Sequence, residues 1–209
     1  MRRAIVTTNE PAGTQLRAVS FDLVPDDFTA PGQWAKVTVA DVTAPFAFAS
    51  SPGEPLMLLA KDFGAAGNAL AAAKPGDELF VGEVRGGFPM QRVAGLPLVL
   101  LAGGSGISAL RPVVRAELAL GLPRPVHLLY GVLTPAHTSF AEELERWREA
   151  GVVVHVAVAE PFVQDVAETL GLVRSDVGVL MAGLPAMIDA ARAKWSAAGA
   201  PADRLLVNF

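Results

Sequence analysis

Five short runs of almost purely apolar residues constrain the fold of this chain more than any other feature of its sequence. They alternate with segments of helical periodicity, and they read LVLLAG, VHLLYGV, VVVHVAVA, VGVLMAG and RLLVNF. Strands that lack a polar face are buried on both sides, as in a parallel sheet covered by helices. The sequence therefore predicts an α/β, doubly wound parallel sheet of five strands over residues 96–209.

The segments between these runs carry signals for helix ends. Glycine, which readily takes the left-handed conformation that ends many helices, stands at the end of four of them. These residues are Gly121, Gly151, Gly171 and Gly199. Thr134 and Pro135 predict the start of the helix that ends at Gly151, because threonine is a frequent N-cap and proline is frequent in the first turn.

The first half of the chain has a different rhythm. Its β-prone runs are short, Gly- and Pro-rich breaks separate them, and they read RAIVTT, TQLRAVSFD, QWAKVTVA, FAFAS, LMLLAK and ELFVGEV. One helical segment, residues 65–73, precedes the last run. Such closely spaced strands predict an antiparallel sandwich or barrel over residues 1–92, with the join between the two halves between Met90 and Leu96.

The composition excludes several classes of protein. Hydrophobic residues make up 52% of the chain and charged residues 18%, which suits a folded protein with a large core. The net charge of −4 and the scattered Lys and Arg argue against nucleic acid as a partner. No apolar run is long enough to span a bilayer, and MRRAIVTTNE lacks the apolar region of a signal peptide, so we expect a cytoplasmic location.

Thiol chemistry and metal binding are not expected from this sequence. The chain has no cysteine, which excludes disulfides, thiolate metal sites and cysteine-ligated iron–sulfur clusters within it. The three histidines do not have the spacing of metal ligands, so we predict no metal site.

A glycine-rich turn follows the first of the apolar runs. Gly104, Gly106 and Ala109 form G-x-G-x-x-A between that strand and its helix, where small residues and unpaired N–H groups can receive a diphosphate. The alternative is a tight turn without a ligand. A P-loop is excluded because no Lys-Ser/Thr pair follows the glycines, and a hydrolase elbow is excluded because position 107 is Ile.

Five segments together resemble the ferredoxin–NADP reductase family, in the order and spacing of that family. They are PGQWAKV, KPGDELFV, LAGGSGISALRPV, YGVLTPAHTSFAEELERW and MAGLPAM. The resemblance implies an N-terminal antiparallel six-stranded β-barrel that binds FAD, over residues 1–92, and an NAD(P)-binding domain over residues 96–209. It also implies hydride transfer from the nicotinamide to the flavin, which then passes electrons on.

On the flavin side, the resemblance implies a site with several departures from the family pattern. APFAFASSP aligns with the family's Arg-x-aromatic-Ser-x-x-Ser strand, so that Ala44 replaces the arginine that contacts the FAD diphosphate. Ala47 stands at the serine position near the reactive edge of the ring, and Phe46 and Ser50 match the pattern. Lys61 or Arg85 could replace the missing positive charge, or both could be solvated surface residues.

The helix that follows the barrel strand LMLLAK, and the end of the chain, complete the flavin site that the resemblance implies. Gly67 replaces the hydroxyl residue expected at the start of that helix, whose backbone N–H groups from Gly64 to Asn68 could still meet a phosphate. Phe209 follows the last strand, where family members place an aromatic residue against the flavin; the alternative is ordinary packing between the two halves.

On the nucleotide side, the resemblance implies a site that is closer to the family pattern than the flavin site is. The diphosphate loop consists of Gly103, Gly104, Ser105, Gly106 and Ile107. The turn that shapes the nicotinamide pocket contains Gly183, Leu184 and Met187, with Ala182 where relatives have a cysteine beside the reacting carbons.

Glu160 bears on the choice of nucleotide. NADP-using relatives have Ser-Arg after the third strand, where this chain has Ala159 and Glu160. A carboxylate repels a 2′-phosphate but can accept a hydrogen bond from a ribose hydroxyl, so NADH is expected rather than NADPH. The alternative is that Glu160 is a solvated charge at the end of its strand.

Two functions follow from these residues. The first is an oxidoreductase that passes electrons from NADH through FAD to an acceptor protein, to a larger complex or to a small acceptor. The second is a degenerate, reductase-like subunit that senses nucleotides or binds proteins, because Ala44, Ala47, Gly67 and Ala182 all replace residues that matter to flavin chemistry.

Overall fold

The structure is a computed structural model that describes residues 1–62 and 64–209. Within residues 1–62 and 64–95, seven strands form one antiparallel sheet. They are β1 (Arg2–Pro11), β2 (Leu16–Phe21), β3 (Gln33–Val39), β4 (Val42–Ala47), β5 (Met57–Lys61), β6 (Glu78–Val81) and β7 (Arg85–Gly86). Their order is β4-β3-β6-β1-β2-β5, with the short β7 beside β3. Helix α1 (Gly64–Ala72) connects β5 to β6.

The two edges of this sheet meet and nearly close it into a barrel. Just after β4, Phe48 forms a bridge with Leu58 of β5, and the N–H of Ala49 donates to the carbonyl of Met57 (2.8 Å). Strands β1 to β6 therefore form a nearly closed, antiparallel six-stranded barrel, as the resemblance implies.

Alternate residues of the barrel strands build its core. In β3, Ala35 and Val37 are fully buried while Lys36 between them is exposed, which is the alternation of a strand with one face inward. Leu70 of α1 packs into the same core, beside aromatic residues such as Phe48.

Strand β4 lies earlier in the chain than predicted. The sequence suggests a strand over residues 46–50, whereas β4 spans Val42–Ala47. Ala40 and Asp41 have φ of +45° and +64° and join β3 to β4 as a two-residue hairpin turn. Because this turn lacks the Asn-Gly or Asp-Gly pair that usually marks it, the sequence carries no signal for the early start of the strand.

From residue 96 onward, five parallel strands form the second sheet. They are β8 (Leu98–Gly103), β9 (Val126–Val132), β10 (Val153–Val158), β11 (Gly178–Ala182) and β12 (Leu205–Val207). The helices of this half are α2 (Ile107–Ala119), α3 (Ala141–Glu149), α4 (Val163–Thr169) and α5 (Pro185–Ala197). The strand order β10-β9-β8-β11-β12 confirms the doubly wound sheet. Its switch point, where such sheets open a crevice, lies at the carboxyl end of β8.

Helix α3 begins later than predicted. Pro135–His137 forms only a short 3-10 turn, and α3 starts at Ala141, after Phe140 with a φ of +57°. The barrel interrupts the helix, because the N–H of Thr14 in the β1–β2 turn donates to the carbonyl of Ala136 (2.6 Å). In contrast, α2 and α3 end as predicted at Gly121 (φ +75°) and Gly151 (φ +100°).

Ion pairs and a shared apolar cluster join the barrel to the parallel sheet. Arg115 of α2 donates two hydrogen bonds of 2.6 Å to Glu54 of the barrel, and these bonds hold the pKa of Glu54 below its ordinary value. Arg111 of α2 contacts both Glu143 of α3 and the carbonyl of Ala49.

One apolar cluster contains Leu16 and Leu59 of the barrel together with Leu100 of β8. Because the core crosses the seam between the two sheets, the domain boundary between Met90 and Leu96 stays a prediction. Among the described residues, no helix is both long and apolar enough to cross a membrane.

Candidate functional site

A cavity of about 1250 Å³ lies between the barrel and the carboxyl edge of the parallel sheet. Both halves of the chain line it. On the barrel side the lining includes β4 and the start of α1; on the sheet side it includes the turns after β8 and β11, the start of α4 and the residues after β12. The volume is at least that of an ordinary ligand pocket, so the cleft has room for more than one small ring.

The glycine-rich loop forms the floor of this cavity on the sheet side. After β8 the chain makes a 3-10 turn, Gly104–Gly106, that leads directly into α2. A Cβ atom on Gly106 would overlap the carbonyl group of Ala182 at the end of β11. Glycine is therefore required here for close approach of two backbones, whatever the loop binds.

Most of the nucleotide-side residues predicted from sequence line the cavity. They are Gly103, Gly104, Ser105, Gly106, Ala182, Gly183, Leu184 and Met187. Ile107 does not line it, because its side chain is fully buried in the core that α2 shares with the sheet. Leu184 is largely exposed and stands at the rim.

Glu160 lies outside the cavity lining, on the exposed surface after β10. Its neighbours Ala159, Phe162 and Gln164 do line the cavity. Gln164 is buried, and its Oε1 atom accepts no hydrogen bond from any described residue. Sequence reasoning did not select Gln164, because its burial and the missing partner of its amide oxygen are visible only in the structure.

Of the barrel-side residues predicted from the sequence, some line the cavity and others do not. Ala44, Phe46 and Ala47 of β4 line the cavity. Ser50 does not: it is buried, and its hydroxyl accepts a hydrogen bond from the N–H of Met57 (3.0 Å). Asn68 faces a separate, smaller cavity of about 420 Å³ on the outer side of α1.

The start of α1 presents backbone to the cavity. Gly64, Ala65, Ala66 and Gly67 line it, and N–H groups in the first turn of a helix have no partner within the helix. A Cβ atom on Gly67 would overlap the carbonyl oxygen of Lys61. The hydroxyl residue that the family pattern leads one to expect at Gly67 is therefore excluded by the close packing of α1 on the end of β5.

The ring of Phe209 lies at the cavity and packs beside that of Trp34. Phe209 is 69% exposed and lines the cavity, and its ring centroid lies 5.2 Å from that of Trp34 at an interplanar angle of 45°. Trp34 pairs with Ala47 across β3 and β4. The structure thus brings Ala47, Phe209 and Ala182, predicted from three distant segments, to the same cleft.

The cavity is almost free of charged side chains. Among the described lining residues, only Lys61 carries a full charge at neutral pH, and His137 is the other basic residue. Arg85, the alternative cation considered from the sequence, pairs with Glu83 on the surface (2.9 Å) and does not line the cavity. Any phosphate in this cleft would rely on backbone N–H groups and Lys61.

Comparison with known proteins agrees with this arrangement. Residues 100–193 match the oxidoreductase NAD-binding domain family. The reductase component of propane 2-monooxygenase from Rhodococcus jostii is 29% identical over 201 residues, which cover 85% of this chain and 54% of that protein. The toluate 1,2-dioxygenase electron transfer component from Pseudomonas putida is 28% identical over 177 residues, covering 77% and 52% of the two chains. This chain therefore spans about half the length of these relatives.

Solved structures share the whole fold. The ferredoxin reductase of carbazole 1,9a-dioxygenase matches 99% of this chain and 68% of its own, with a TM-score of 0.85 at 21% identity. A ferredoxin NADP+ reductase from Neisseria gonorrhoeae with bound FAD and NADP matches 95% of this chain and 91% of its own, with a TM-score of 0.84 at 14% identity. Together with the barrel-plus-sheet architecture, these matches show that the chain has the fold of the ferredoxin–NADP reductases and contains a segment of the oxidoreductase NAD-binding domain family.

Proposed function

We propose that this chain is the flavin- and nicotinamide-binding part of an electron-transfer oxidoreductase. It takes electrons from NADH and passes them through FAD to a protein or small acceptor. The observation that carries the proposal is the single cavity that β4 and α1 of the barrel share with the turns after β8 and β11. A cleft shared in this way holds two redox ligands against each other, which is the protein's main task in a flavin reductase.

The barrel side of the cleft fits FAD. Phe46 and Ala47 offer an apolar wall for the flavin ring, and Phe209, whose ring packs beside Trp34, offers an aromatic surface. The backbone at the start of α1 and the side chain of Lys61 line the cleft where the diphosphate would bind, and position 44 contributes no arginine. When bound, FAD supplies the chemistry of accepting a hydride and releasing electrons one or two at a time.

The sheet side of the cleft fits a nicotinamide dinucleotide. Gly103 to Gly106 bring backbone, free of side-chain bulk, to the N-terminus of α2, where a diphosphate is favoured. The small side chain of Ala182 leaves room beside the flavin wall. Gln164 contributes an unsatisfied buried oxygen that can accept a hydrogen bond from the adenosine part of the ligand.

The preference for NADH rests on the charges around the end of β10. The lining residues there, Ala159, Phe162 and Gln164, are uncharged, and the nearest charge in sequence is the carboxylate of Glu160. No described lining residue in this region offers a cation to a 2′-phosphate. The 2′-phosphate of NADPH therefore gains no favourable contact here, and the carboxylate of Glu160 repels it.

The acceptor is proposed from the relatives. Those named above are components of oxygenase systems, so a protein of such a system, or a ferredoxin, is the expected acceptor. None of the 209 residues is cysteine, so a thiolate-ligated iron–sulfur centre on the electron route would lie outside this stretch of sequence.

Flavin absorbance of the purified chain tests the proposal. We expect the protein to bind about one FAD per chain and its visible flavin band to bleach anaerobically when NADH is added. The matched variant Gly106→Val keeps the barrel side of the site but forces the loop away from Ala182, so it should bind FAD and lose bleaching by NADH. A wild-type protein that takes up no FAD would contradict the proposal and favour the degenerate, nucleotide-sensing subunit.

A further inference from the structure

The amide of Asn208 is a buried polar group at the cleft that has no partner. Asn208 follows β12, lines the cavity and is only 2% exposed. Its Nδ2 atom is buried and donates to no described residue. Buried amide donors are almost always satisfied, because an unmet donor in the protein interior is costly. The group therefore indicates an acceptor that the protein chain does not itself provide.

Asn208 lies beside the barrel. Leu206, two residues earlier in β12, packs in the apolar cluster that holds Leu16 and Leu59 of the barrel. Ala47 packs against this same cluster. The backbone carbonyl of Asn208 also accepts the N–H of Gly87, just after β7 (3.2 Å). Asn208 thus lies where the cavity meets the barrel, and it follows the strand at the opposite edge of the sheet from the strand that precedes Gln164.

We propose that Asn208 donates a hydrogen bond to the pyrimidine half of the flavin ring. The inference rests on the proposed function, in which the ring lies between Ala47 and Phe209. The acceptors of the oxidised ring are two carbonyl oxygens and N1 on the pyrimidine ring and N5 on the adjacent central ring, and the dimethylbenzene ring has none. An unpartnered donor in the cavity lining therefore favours the orientation in which the pyrimidine side of the ring lies beside Asn208.

The same contact makes Asn208 a positioning residue that tunes the flavin. Reduction places additional electron density on the pyrimidine half, so a fixed donor there stabilises the reduced ring more than the oxidised one. Asn208 should accordingly strengthen FAD binding and raise the midpoint potential of the bound flavin.

Asn208→Leu tests this because leucine has a similar volume and no donor. We expect the Kd for FAD, measured by quenching of flavin fluorescence, to rise about fivefold to tenfold. We expect the two-electron midpoint potential to fall by about 30 mV, which corresponds to tenfold weaker binding of the reduced ring relative to the oxidised one. The melting temperature of the FAD-free protein should stay the same or rise, since an unsatisfied buried group has been removed.

Gln164→Met is the matched control, because it also replaces an unsatisfied buried amide of the cavity by an apolar side chain of similar size. It should leave both the Kd for FAD and the potential at wild-type values. Asn208→Ala removes the donor without adding bulk, so it controls for any disturbance of packing by leucine. It should give the same two shifts as Asn208→Leu.

The outcomes separate the inference from the proposed function. If the wild type binds FAD but both Asn208 variants keep its Kd and potential, the inference is overturned and the proposed function stands. If equal shifts occur in Gln164→Met, the effect is not specific to Asn208 and the inference also fails. If the wild type binds no FAD, the proposed function fails and the inference fails with it.

Discussion

Removing the buried ion pair between Glu117 and Arg124 should destabilise the whole protein. Glu117 on α2 and Arg124 before β9 have side chains that are only 5% and 12% exposed. The guanidinium donates from both Nε (3.0 Å) and Nη2 to the carboxylate, and it also donates to the carbonyls of Val93 and Leu96 in the segment that joins the barrel to the sheet. The side chain of Arg124 thus connects α2 to the segment between the barrel and the parallel sheet.

The expected cost follows from this burial. Arg124→Met leaves the Glu117 carboxylate buried and unpaired, and losing one partner of such a pair costs about 3–5 kcal/mol. For a chain of this size each kcal/mol lowers the melting temperature by about 2–4 °C, so a fall of about 6–20 °C is expected. Glu117→Leu should cost a similar amount, because it leaves the guanidinium without its carboxylate.

Thermal and chemical denaturation of the two single variants and the double variant measure the effect. The double variant should cost clearly less than the sum of the two singles, since it removes both charges together. Arg174→Met, which breaks an exposed pair with Asp176, is the control and should leave the melting temperature unchanged. A loss below about 1 kcal/mol for Arg124→Met, or additive single losses, would refute the reasoning.

Three further predictions concern pH, packing and nucleotide choice. Burial, and then the charge of His155, lower the pKa of His127. The unfolded chain therefore binds more protons than the folded chain, and the unfolding free energy should fall as the pH drops below about 6.5. His127→Phe should flatten this dependence on pH, and an unchanged slope would contradict the prediction. Gly67→Ser should lower the melting temperature and weaken FAD binding, because its Cβ overlaps the Lys61 carbonyl; tighter FAD binding would show that the hydroxyl is accommodated. Glu160→Arg should raise the ratio of kcat/KM for NADPH over NADH at least about tenfold, and an unchanged ratio would remove Glu160 from nucleotide choice.

The sequence predicted the parallel sheet better than the barrel. Strands β8 and β9 begin and end where LVLLAG and VHLLYGV do, because strands buried on both faces are apolar along their whole length. In the barrel, Ala40 and Asp41 take left-handed conformations that neither residue type signals, so the start of β4 was misplaced. Contact with Thr14, which is distant in sequence, likewise shortens the helix predicted from Pro135.

The parts of the candidate site in which a motif fixes the backbone could be predicted from the sequence. The parts that depend on whether a side chain is buried and has a hydrogen-bond partner could not. The glycine loop and the turn after β11 lie in the cleft as their patterns indicate. Ser50 matches a motif by type, but its hydroxyl bonds to the backbone of Met57 instead of facing the cleft. Gln164 and Asn208 stand out only through buried polar atoms without partners, and no local pattern of residues reveals such a property.

A crystal structure of the full chain with FAD and oxidised nicotinamide dinucleotide tests the central claim most directly. The flavin ring is predicted to lie in the shared cleft against Ala47 and Phe209, with the nicotinamide ring stacked on it beside Ala182. A flavin bound outside this cleft, or a cleft filled by the protein's own side chains while both ligands bind elsewhere, would contradict the claim.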